Sequence, residues 1–322
     1  MRLPLPRRAV LAAAVIGFAV LPPAGANPYF IYIANLGLVY VLLAIGLNML
    51  IGYAGQLAFA NAALFGIGAY ATGLLRVDHG LPFFLAFPAG VAVATAIGVV
   101  IALPALRLRG LYLALASIAF AQFCLWAFVH WERVTYGAGG VRLPRLSFAP
   151  LPVSVEVGIY YLTLGLVVLM SWLAWNMLRS RVGRALVALR ESEVAASALA
   201  IDLTRYKAYA FGVSAMFAGV AGGLFSALLG IVTPETFDLY QVVSHFAMVV
   251  VGGIGSLWGA IIGAALLVGL QEVLRAFREL QEIAFGALIL FTVLFMPSGL
   301  IAFIKRFASG WDEPLRRTEG DR

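Results

Sequence analysis

Charged residues are scarce in this 322-residue chain. Asp, Glu, Lys and Arg together make up 11% of it and hydrophobic residues 63%, whereas a soluble domain has about 25% charged and about 45–50% apolar residues. At a mean hydropathy of +0.98, too little polar surface remains to cover a globular core. The composition excludes a soluble enzyme, a nucleic-acid-binding protein and a disulfide-rich secreted scaffold. It indicates an all-α, polytopic transmembrane helical bundle.

Reactive groups are scarce as well. The single cysteine, Cys124, rules out a disulfide framework, and the three histidines do not have the spacing of metal ligands. The chain has two lysines and no G-x-x-x-x-G-K-[ST] phosphate loop, so we do not expect it to hydrolyse ATP itself. No Asp or Glu lies centrally in an apolar stretch, where ion-coupled carriers usually keep one. We therefore predict no catalytic residue, metal or cofactor, and expect the energy for transport to come from a partner.

Long stretches without charge mark the candidate membrane spans, because about 20 residues cross the bilayer once. We expect about eight to ten spans, near residues 9–25, 29–51, 57–75, 83–103, 110–130, 158–178, 208–230, 242–271 and 283–304. The first stretch could instead be a signal peptide. Gly252, Gly253 and Gly255 interrupt the stretch 242–271, which is either one bent helix or a re-entrant or doubled element.

Lys and Arg are unevenly distributed between the loops. An N-terminus inside the cell places the loop 179–207, with its six basic residues, in the cytoplasm and the loop 131–157 outside. The basic tail 305–322 is cytoplasmic only if 242–271 is doubled, which is the interpretation we prefer. We thus predict a single transmembrane domain over residues 1–322.

The loop 179–207 also has a helical pattern. Its apolar residues Leu186, Leu189, Val194 and Leu199 predict one amphipathic helix of about four turns, beginning near Gly183. This helix is too short and too polar to cross the membrane. It could lie on the anionic surface of membrane lipid, or it could dock into a groove on a cytosolic partner.

The same loop resembles the coupling loop of permeases from ATP-binding-cassette (ABC) importers. Glu193, Ala195 and Ala196 match the Glu-x-Ala-Ala motif that engages the ATPase subunit in that class, although Ala200 stands where the motif usually has glycine. The resemblance implies that the 183–200 helix couples the permease to the ATPase. The residues it assigns to this role are Gly183, Arg184, Arg190, Glu193, Ala195, Ala196 and Ala200.

Other segments resemble the LivM-like permeases of branched-chain amino acid importers, in order from about residue 35 to 300. They include Gly46-Leu-Asn-Met-Leu-Ile-Gly-Tyr-Ala-Gly-Gln-Leu57, Gly66-Ile-Gly-Ala-Tyr70 and Gly252-Gly-Ile-Gly-Ser-Leu-Trp-Gly259. This chain departs from the family pattern in three places. It has Phe59-Ala-Asn61 where Leu-Gly-His is often seen, Tyr136 where glycine is common, and Ala260 where proline is common.

This second resemblance implies a permease subunit in the bacterial cytoplasmic (inner) membrane. Its partners would be a second homologous permease, two cytosolic ATPase subunits and a periplasmic solute-binding protein, with no nucleic acid. The solute would be a branched-chain amino acid or a similar small polar solute such as urea, an amide or a carboxylate. A secondary transporter and a membrane-embedded enzyme or scaffold are the alternatives from other classes.

Polar residues near the predicted helix breaks are candidates for the transport path. Asn48, Gln56, Asn61 and Tyr70 are the candidate path-lining residues, and Gly52, Gly55, Gly252, Gly253 and Gly255 are the candidate break or hinge glycines. Gln56 and Asn61 are neutral amides in an otherwise apolar stretch. They either form hydrogen bonds between helices or face a polar solute at a broken helix.

Overall fold

A computed structural model describes residues 27–108, 110–146, 154–275, 278–296 and 299–302. The helices are α1 (Pro28–Asn48), α2 (Asn61–Val77), α3 (Phe83–Ala105), α4 (Leu111–His130), α5 (Glu132–Thr135), α6 (Val155–Arg179), α7 (Arg181–Glu191), α8 (Glu193–Ala198), α9 (Leu203–Leu229), α10 (Leu239–Gly252), α11 (Leu257–Leu274) and α12 (Arg278–Phe295). The strands β1 (Val141–Arg142) and β2 (Ile231–Val232) pair with each other. The predicted span near 9–25 and the predicted tail 305–322 lie outside the described residues.

Among the residues that the structure describes, six helices are long and apolar enough to cross a membrane. They are Pro28–Tyr53, Phe83–Pro104, Leu111–His130, Val155–Arg179, Leu203–Leu229 and Leu257–Leu274. The predicted polytopic helical bundle is therefore confirmed. Helix α2 is shorter, with 17 residues, and most of its side chains are buried inside the bundle.

Glycines bring the backbones of α2, α3 and α9 into contact at the centre of the bundle. A methyl group at Gly68 would lie 2.6 Å from the Cα atom of Gly219, and one at Gly222 would lie 2.2 Å from the carbonyl oxygen of Phe65. Real Cβ atoms do not approach backbone atoms this closely, so only glycine permits these helix separations. Lipid supplies no hydrophobic force between helices, and close packing of this kind holds them together.

The stretch 242–271 contains two antiparallel helices joined by a tight turn. Helix α10 ends at Gly252, and α11 begins at Leu257 after Gly253 and Gly255, whose φ angles are +128° and +78°. Such angles favour glycine because a side chain would clash with the backbone. Helix α10 has 14 residues, or about 21 Å, which is less than the hydrocarbon thickness of about 30 Å. The glycines therefore produce the doubled element rather than one bent pass.

The two ends of the bundle carry different elements. At one end, called the outer end here, β1 pairs with β2 and the Leu143 N–H donates to the Gly230 carbonyl oxygen at 2.9 Å. The Arg76 guanidinium at the end of α2 donates to the carbonyl oxygen of Pro144 at 2.6 Å. These bonds attach part of the predicted 131–157 loop to α2 and α9. The opposite end, called the inner end, carries α7 and α8.

Candidate functional site

The loop 179–207 forms two short helices instead of the single helix of about four turns that the apolar pattern predicts. Ser192, between α7 and α8, has an extended backbone with φ −164° and ψ 116°. Its hydroxyl accepts a hydrogen bond from the Ala195 N–H at 3.2 Å. A serine in this N-cap arrangement starts a new helix by satisfying an otherwise unpaired amide. The prediction of one continuous helix is therefore wrong.

The break at Ser192 divides the predicted apolar face. Leu186 and Leu189 of α7 are buried against the bundle, as the pattern predicts. Val194 and Leu199, beyond the break, are each 74% exposed. The predicted single face is therefore divided: its α7 part anchors that helix, and Val194 on α8 and Leu199 at the cap of α8 are exposed. Ala195 is also exposed, whereas Ala196 is buried.

Gly183 allows α7 to fold back onto α6. The helix begins at Arg181, and the Ser180 side chain accepts from the Val182 N–H at 3.1 Å. A methyl group at Gly183 would lie 2.0 Å from the carbonyl oxygen of Leu178. Gly183 therefore permits this close approach and is not the start of the helix. The neighbouring Arg184 is exposed, with one weak contact to the Arg179 carbonyl oxygen at 3.4 Å.

The backbone conformation at Ala200 explains why the Glu-x-Ala-Ala motif usually has glycine at this position. Its φ angle is +57°. The N–H of Ile201 bonds to the Ala196 carbonyl oxygen at 3.1 Å, and the N–H of Ala200 bonds to the Ser197 carbonyl oxygen at 3.0 Å. Together these bonds form a Schellman motif, which places glycine at its left-handed position. The substitution of alanine there keeps the motif but strains the backbone.

Glu193 faces into the protein. Its carboxylate lies 2.6 Å from the Nζ atom of Lys207 on α9, and the two side chains are 18% and 2% exposed. The motif predicts an ATPase contact for Glu193, and no motif singles out Lys207. The signal for Lys207 was its rarity, since the chain has two lysines, and its position at the start of an apolar span.

Arg190 of α7 lies against two of the predicted breaks. Its guanidinium donates to the Gly52 carbonyl oxygen at 2.6 Å. A methyl group at Gly55 would meet the Arg190 Cα at 3.0 Å, and one at Gly255 would meet its guanidinium at 2.8 Å. The structure thus brings together a predicted coupling residue and predicted break glycines, which are far apart in the sequence.

Asn48 completes this cluster, which we call the inner junction (Asn48, Gly52, Gly55, Arg190, Gly255, Ser256). The Asn48 Oδ1 atom accepts from the Gly255 N–H at 2.8 Å, and its Nδ2 atom donates to the Ser256 carbonyl oxygen at 2.7 Å. Helix α1 passes into a π-helical turn, Met49–Tyr53, at this point. The buried Asn48 amide therefore attaches α1 to the turn between α10 and α11.

The other three candidate path residues lie on or just before α2. Gln56 is buried, and its Nε2 atom makes a long bond of 3.3 Å to the Ala54 carbonyl oxygen. Asn61 is buried with no hydrogen-bond partner for its amide among the described residues. The same holds for the Tyr70 hydroxyl within the described ranges, while the Tyr70 ring stacks on Phe128 at 4.6 Å.

A buried histidine faces the same helix. His245 of α10 is fully buried, and neither ring nitrogen has a hydrogen-bond partner in the part of the chain that the structure describes. Its ring lies 5.9 Å from that of Phe65, which stands between Asn61 and Tyr70 on α2. We call Asn61, Tyr70 and His245 the interior seam. Buried polar groups without partners are costly, so an unpaired set marks a place where another polar molecule could bind.

At the outer end, outside the spans, Tyr136 and Asp78 form an ionisable pair. The Tyr136 hydroxyl donates to the Asp78 carboxylate at 2.5 Å, and this hydrogen bond raises the pKa of Tyr136. Tyr136 has a φ angle of +63°. Tyr136 and Ala200 are the two non-glycine residues with positive φ among the described residues, and both stand where the resemblance leads us to expect glycine.

Comparison with known proteins gives a consistent result. Residues 29–293 match the family model described as the permease component of the branched-chain amino acid transport system. The chain is 33% identical to the high-affinity branched-chain amino acid transport system permease proteins LivM of Salmonella typhimurium and Escherichia coli, over 84% of this chain and 69% of theirs. It is 29% identical to the corresponding permease LivH of Escherichia coli, over 83% of this chain and 92% of LivH. No solved structure matches the chain.

Proposed function

The chain belongs to the family of permease components of branched-chain amino acid transport systems, and from that premise we propose that it forms one half of the transmembrane path of an ABC importer. A second homologous permease forms the other half; relatives named LivM and LivH support a pair of different chains. Two cytosolic ATPase subunits and a periplasmic solute-binding protein complete the transporter in the bacterial inner membrane.

The observation that carries this proposal is the architecture of α7 and α8. A docking element needs an outward surface for its partner and firm attachment to the moving bundle. Val194 on α8 and Leu199 at its C-terminal cap supply exposed apolar surface. The buried side chains of Leu186 and Leu189 anchor α7, and the Arg190 bond to Gly52 joins it to α1. This combination favours a groove on a cytosolic ATPase as the binding partner.

The interior seam supports a polar solute. Asn61 and Tyr70 on α2 and His245 on α10 are buried, and their polar atoms have no hydrogen-bond partner in the described part of the chain. A zwitterionic amino acid carries donors and acceptors that could pair with such groups during passage. We propose Asn61, Tyr70 and Gln56 as path-lining residues, and branched-chain amino acids as the solutes. Urea, a small amide and a carboxylate are the competing substrates.

Asn48 has a different proposed role. Both polar atoms of its amide are occupied by the backbone of the α10–α11 turn, so it is less suited to solute contact than Asn61. We propose that Asn48, with the glycines of the inner junction, holds α1 and the turn together. Arg190 then places the coupling element directly on the same junction.

Uptake by the reconstituted complex tests the function. The chain is purified with the subunits that copurify with it, placed in proteoliposomes and supplied with the binding protein and radiolabelled leucine, isoleucine or valine. The proposal expects uptake that requires ATP and is reduced by excess unlabelled branched-chain amino acid. Uptake driven by an imposed ion gradient without ATP would identify a secondary transporter instead. Competition by urea or a carboxylate, but not by leucine, would identify that compound as the substrate instead of branched-chain amino acids.

Charge placed on the outward face of α8 tests the docking surface. Val194→Glu and Leu199→Glu change exposed side chains, so we expect a normal elution profile and melting temperature. The proposal expects both variants to copurify with less ATPase subunit. Full retention of the ATPase by both variants, together with weaker binding to anionic vesicles, would show that this face lies on the membrane surface instead.

A further inference from the structure

Lys207 is a buried cation at the point where the loop returns to the bundle. Lysine is almost never fully buried unless it is paired, and here its ammonium lies 2.6 Å from the Glu193 carboxylate. Lys207 lies in the first turn-and-a-half of α9 (Leu203–Leu229), and Glu193 is the first residue of α8. The pair thus joins two elements that are separated by the Schellman turn at Ala200.

Stability alone gives a weak reason for this pair. The desolvation of a buried charge and a largely buried one offsets much of their attraction, and an apolar pair of similar size is often as stable. What an ion pair adds is a defined geometry between its partners, because an unpaired buried charge is strongly unfavourable. Two helices joined in this way can move together but cannot easily slide past each other.

Helix α9 is suited to carry such a movement across the membrane. It has 27 residues, and its glycines hold it in backbone contact with α2, where a methyl group at Gly222 would lie 2.2 Å from the Phe65 carbonyl oxygen. At its outer end, the Gly230 carbonyl oxygen accepts the N–H of Leu143. A shift at Lys207 would therefore reach both the interior seam and the outer end.

We propose that Lys207 is a positioning residue that couples α8 to α9 through Glu193, so that ATPase-driven movement of α8 is passed to the helices around the solute path. The inference rests on the proposed function of α8 as the docking element. It assigns the motif glutamate an intramolecular partner in this chain, so that Glu193 transmits force within the permease.

The chain offers a matched control two residues away. Arg205 pairs with Asp202 at 2.9 Å, but these side chains are 86% and 47% exposed and lie three residues apart on the same turn. Exposed pairs of this kind contribute little. Lys207→Met and Arg205→Met both remove one cation from the start of α9, and they differ in the burial of the pair and in the elements that it joins.

The test measures the solute transported per ATP hydrolysed by the assembled complex in proteoliposomes. We expect Lys207→Met to keep the ATPase subunits and their hydrolysis but to lower this ratio at least about tenfold, or about 1.4 kcal/mol of coupling. Lys207→Arg, which keeps the charge, should retain most of the wild-type ratio, and Arg205→Met should match wild type. A purely structural role would lower the amount of complex and leave the ratio unchanged.

Three results would overturn the inference. They are a wild-type ratio in Lys207→Met, an equal loss in Arg205→Met, and a loss in Lys207→Arg as large as that in Lys207→Met. If Lys207→Met does not assemble, the exchanged variant Glu193→Lys/Lys207→Glu tests the inference. Recovery of both assembly and the transport-to-hydrolysis ratio supports the coupling of α8 to α9, and assembly with a lowered ratio refutes it. Absence of ATP-driven uptake in the wild-type complex would refute the proposed function instead.

Discussion

The α10–α11 hairpin predicts opposite effects for two glycines on one helix. Gly263 and Gly269 both lie inside α11. A methyl group at Gly263 would lie 2.0 Å from the Met248 carbonyl oxygen and 2.8 Å from the Gly252 Cα, whereas one at Gly269 would meet no atom within 4 Å. Gly263→Ala therefore forces two backbones apart, while Gly269→Ala fills open space.

The expected magnitudes follow from these distances. Both changes gain about 0.5–1 kcal/mol from replacing glycine inside a helix. Gly263→Ala also incurs an overpacking cost of about 1–3 kcal/mol, since no flexible side chain can move aside. Separation of the hairpin further stretches the bonds between Asn48 and the turn, each worth about 0.5–1.5 kcal/mol. The two variants should thus differ by about 1–3 kcal/mol, and by more if the Asn48 bonds break.

Thermal unfolding of the detergent-purified variants measures this difference, with tryptophan fluorescence and the amount of monodisperse protein as readouts. We expect Gly269→Ala to melt at or slightly above the wild-type temperature and Gly263→Ala to melt several degrees below it. Because the helix-propensity gain is common to both variants, it cancels in the comparison. Equal melting temperatures for the two variants would refute the close backbone packing of α10 and α11.

Three further predictions concern single positions. Ala200→Gly removes a strained φ of +57°, so it should increase the free energy of unfolding by up to about 1 kcal/mol and raise the melting temperature. A lower melting temperature would contradict the Schellman geometry. Asn61→Leu and Gln56→Leu should lower uptake normalised to assembled complex or change the preferred solute, whereas an unchanged normalised rate for both removes them from the path. Asp78→Asn should lower the raised pKa of Tyr136, so the absorbance of the Tyr136 phenolate should develop at lower pH than in the parent. A Tyr136→Phe reference, subtracted from each titration, isolates that absorbance. In the parent, the stability from the Tyr136–Asp78 bond is present below the ordinary tyrosine pKa and is lost as the pH rises through the raised pKa.

Local patterns in the sequence predict those features of the fold that depend on one continuous stretch of residues. Charge-free runs locate the six candidate membrane helices of the described residues because the bilayer excludes charge, whereas the runs 57–75 and 283–304 fall on α2 and α12, which are not among the six. Gly252, Gly253 and Gly255 predict the break between α10 and α11, and two of them, Gly253 and Gly255, have the positive φ angles that favour glycine. Tyr136 and Ala200, which stand where glycine is expected, have positive φ angles and therefore mark backbone strain.

Such local patterns do not predict contacts between segments that are distant in the sequence. A helical period continues through Ser192, so the division of the loop depends on a capping bond that competes with that period. The partner of Glu193 is a lysine across the turn, and lysine is an improbable residue for a buried position. The inner junction joins residues from α1, α7 and the hairpin turn, and only the folded bundle brings them within bonding distance.

The pairing of β1 with β2 also sets an order of events during synthesis. Val141 pairs with Val232, so β1 leaves the ribosome about ninety residues before its partner exists. At about 5–20 residues per second, β1 waits roughly 5–20 s. During that interval α6, both loop helices and α9 have to be made and inserted. The ladder is therefore a late assembly step, and a substitution in β1 should slow the final closure of the outer end without preventing membrane insertion of the preceding helices.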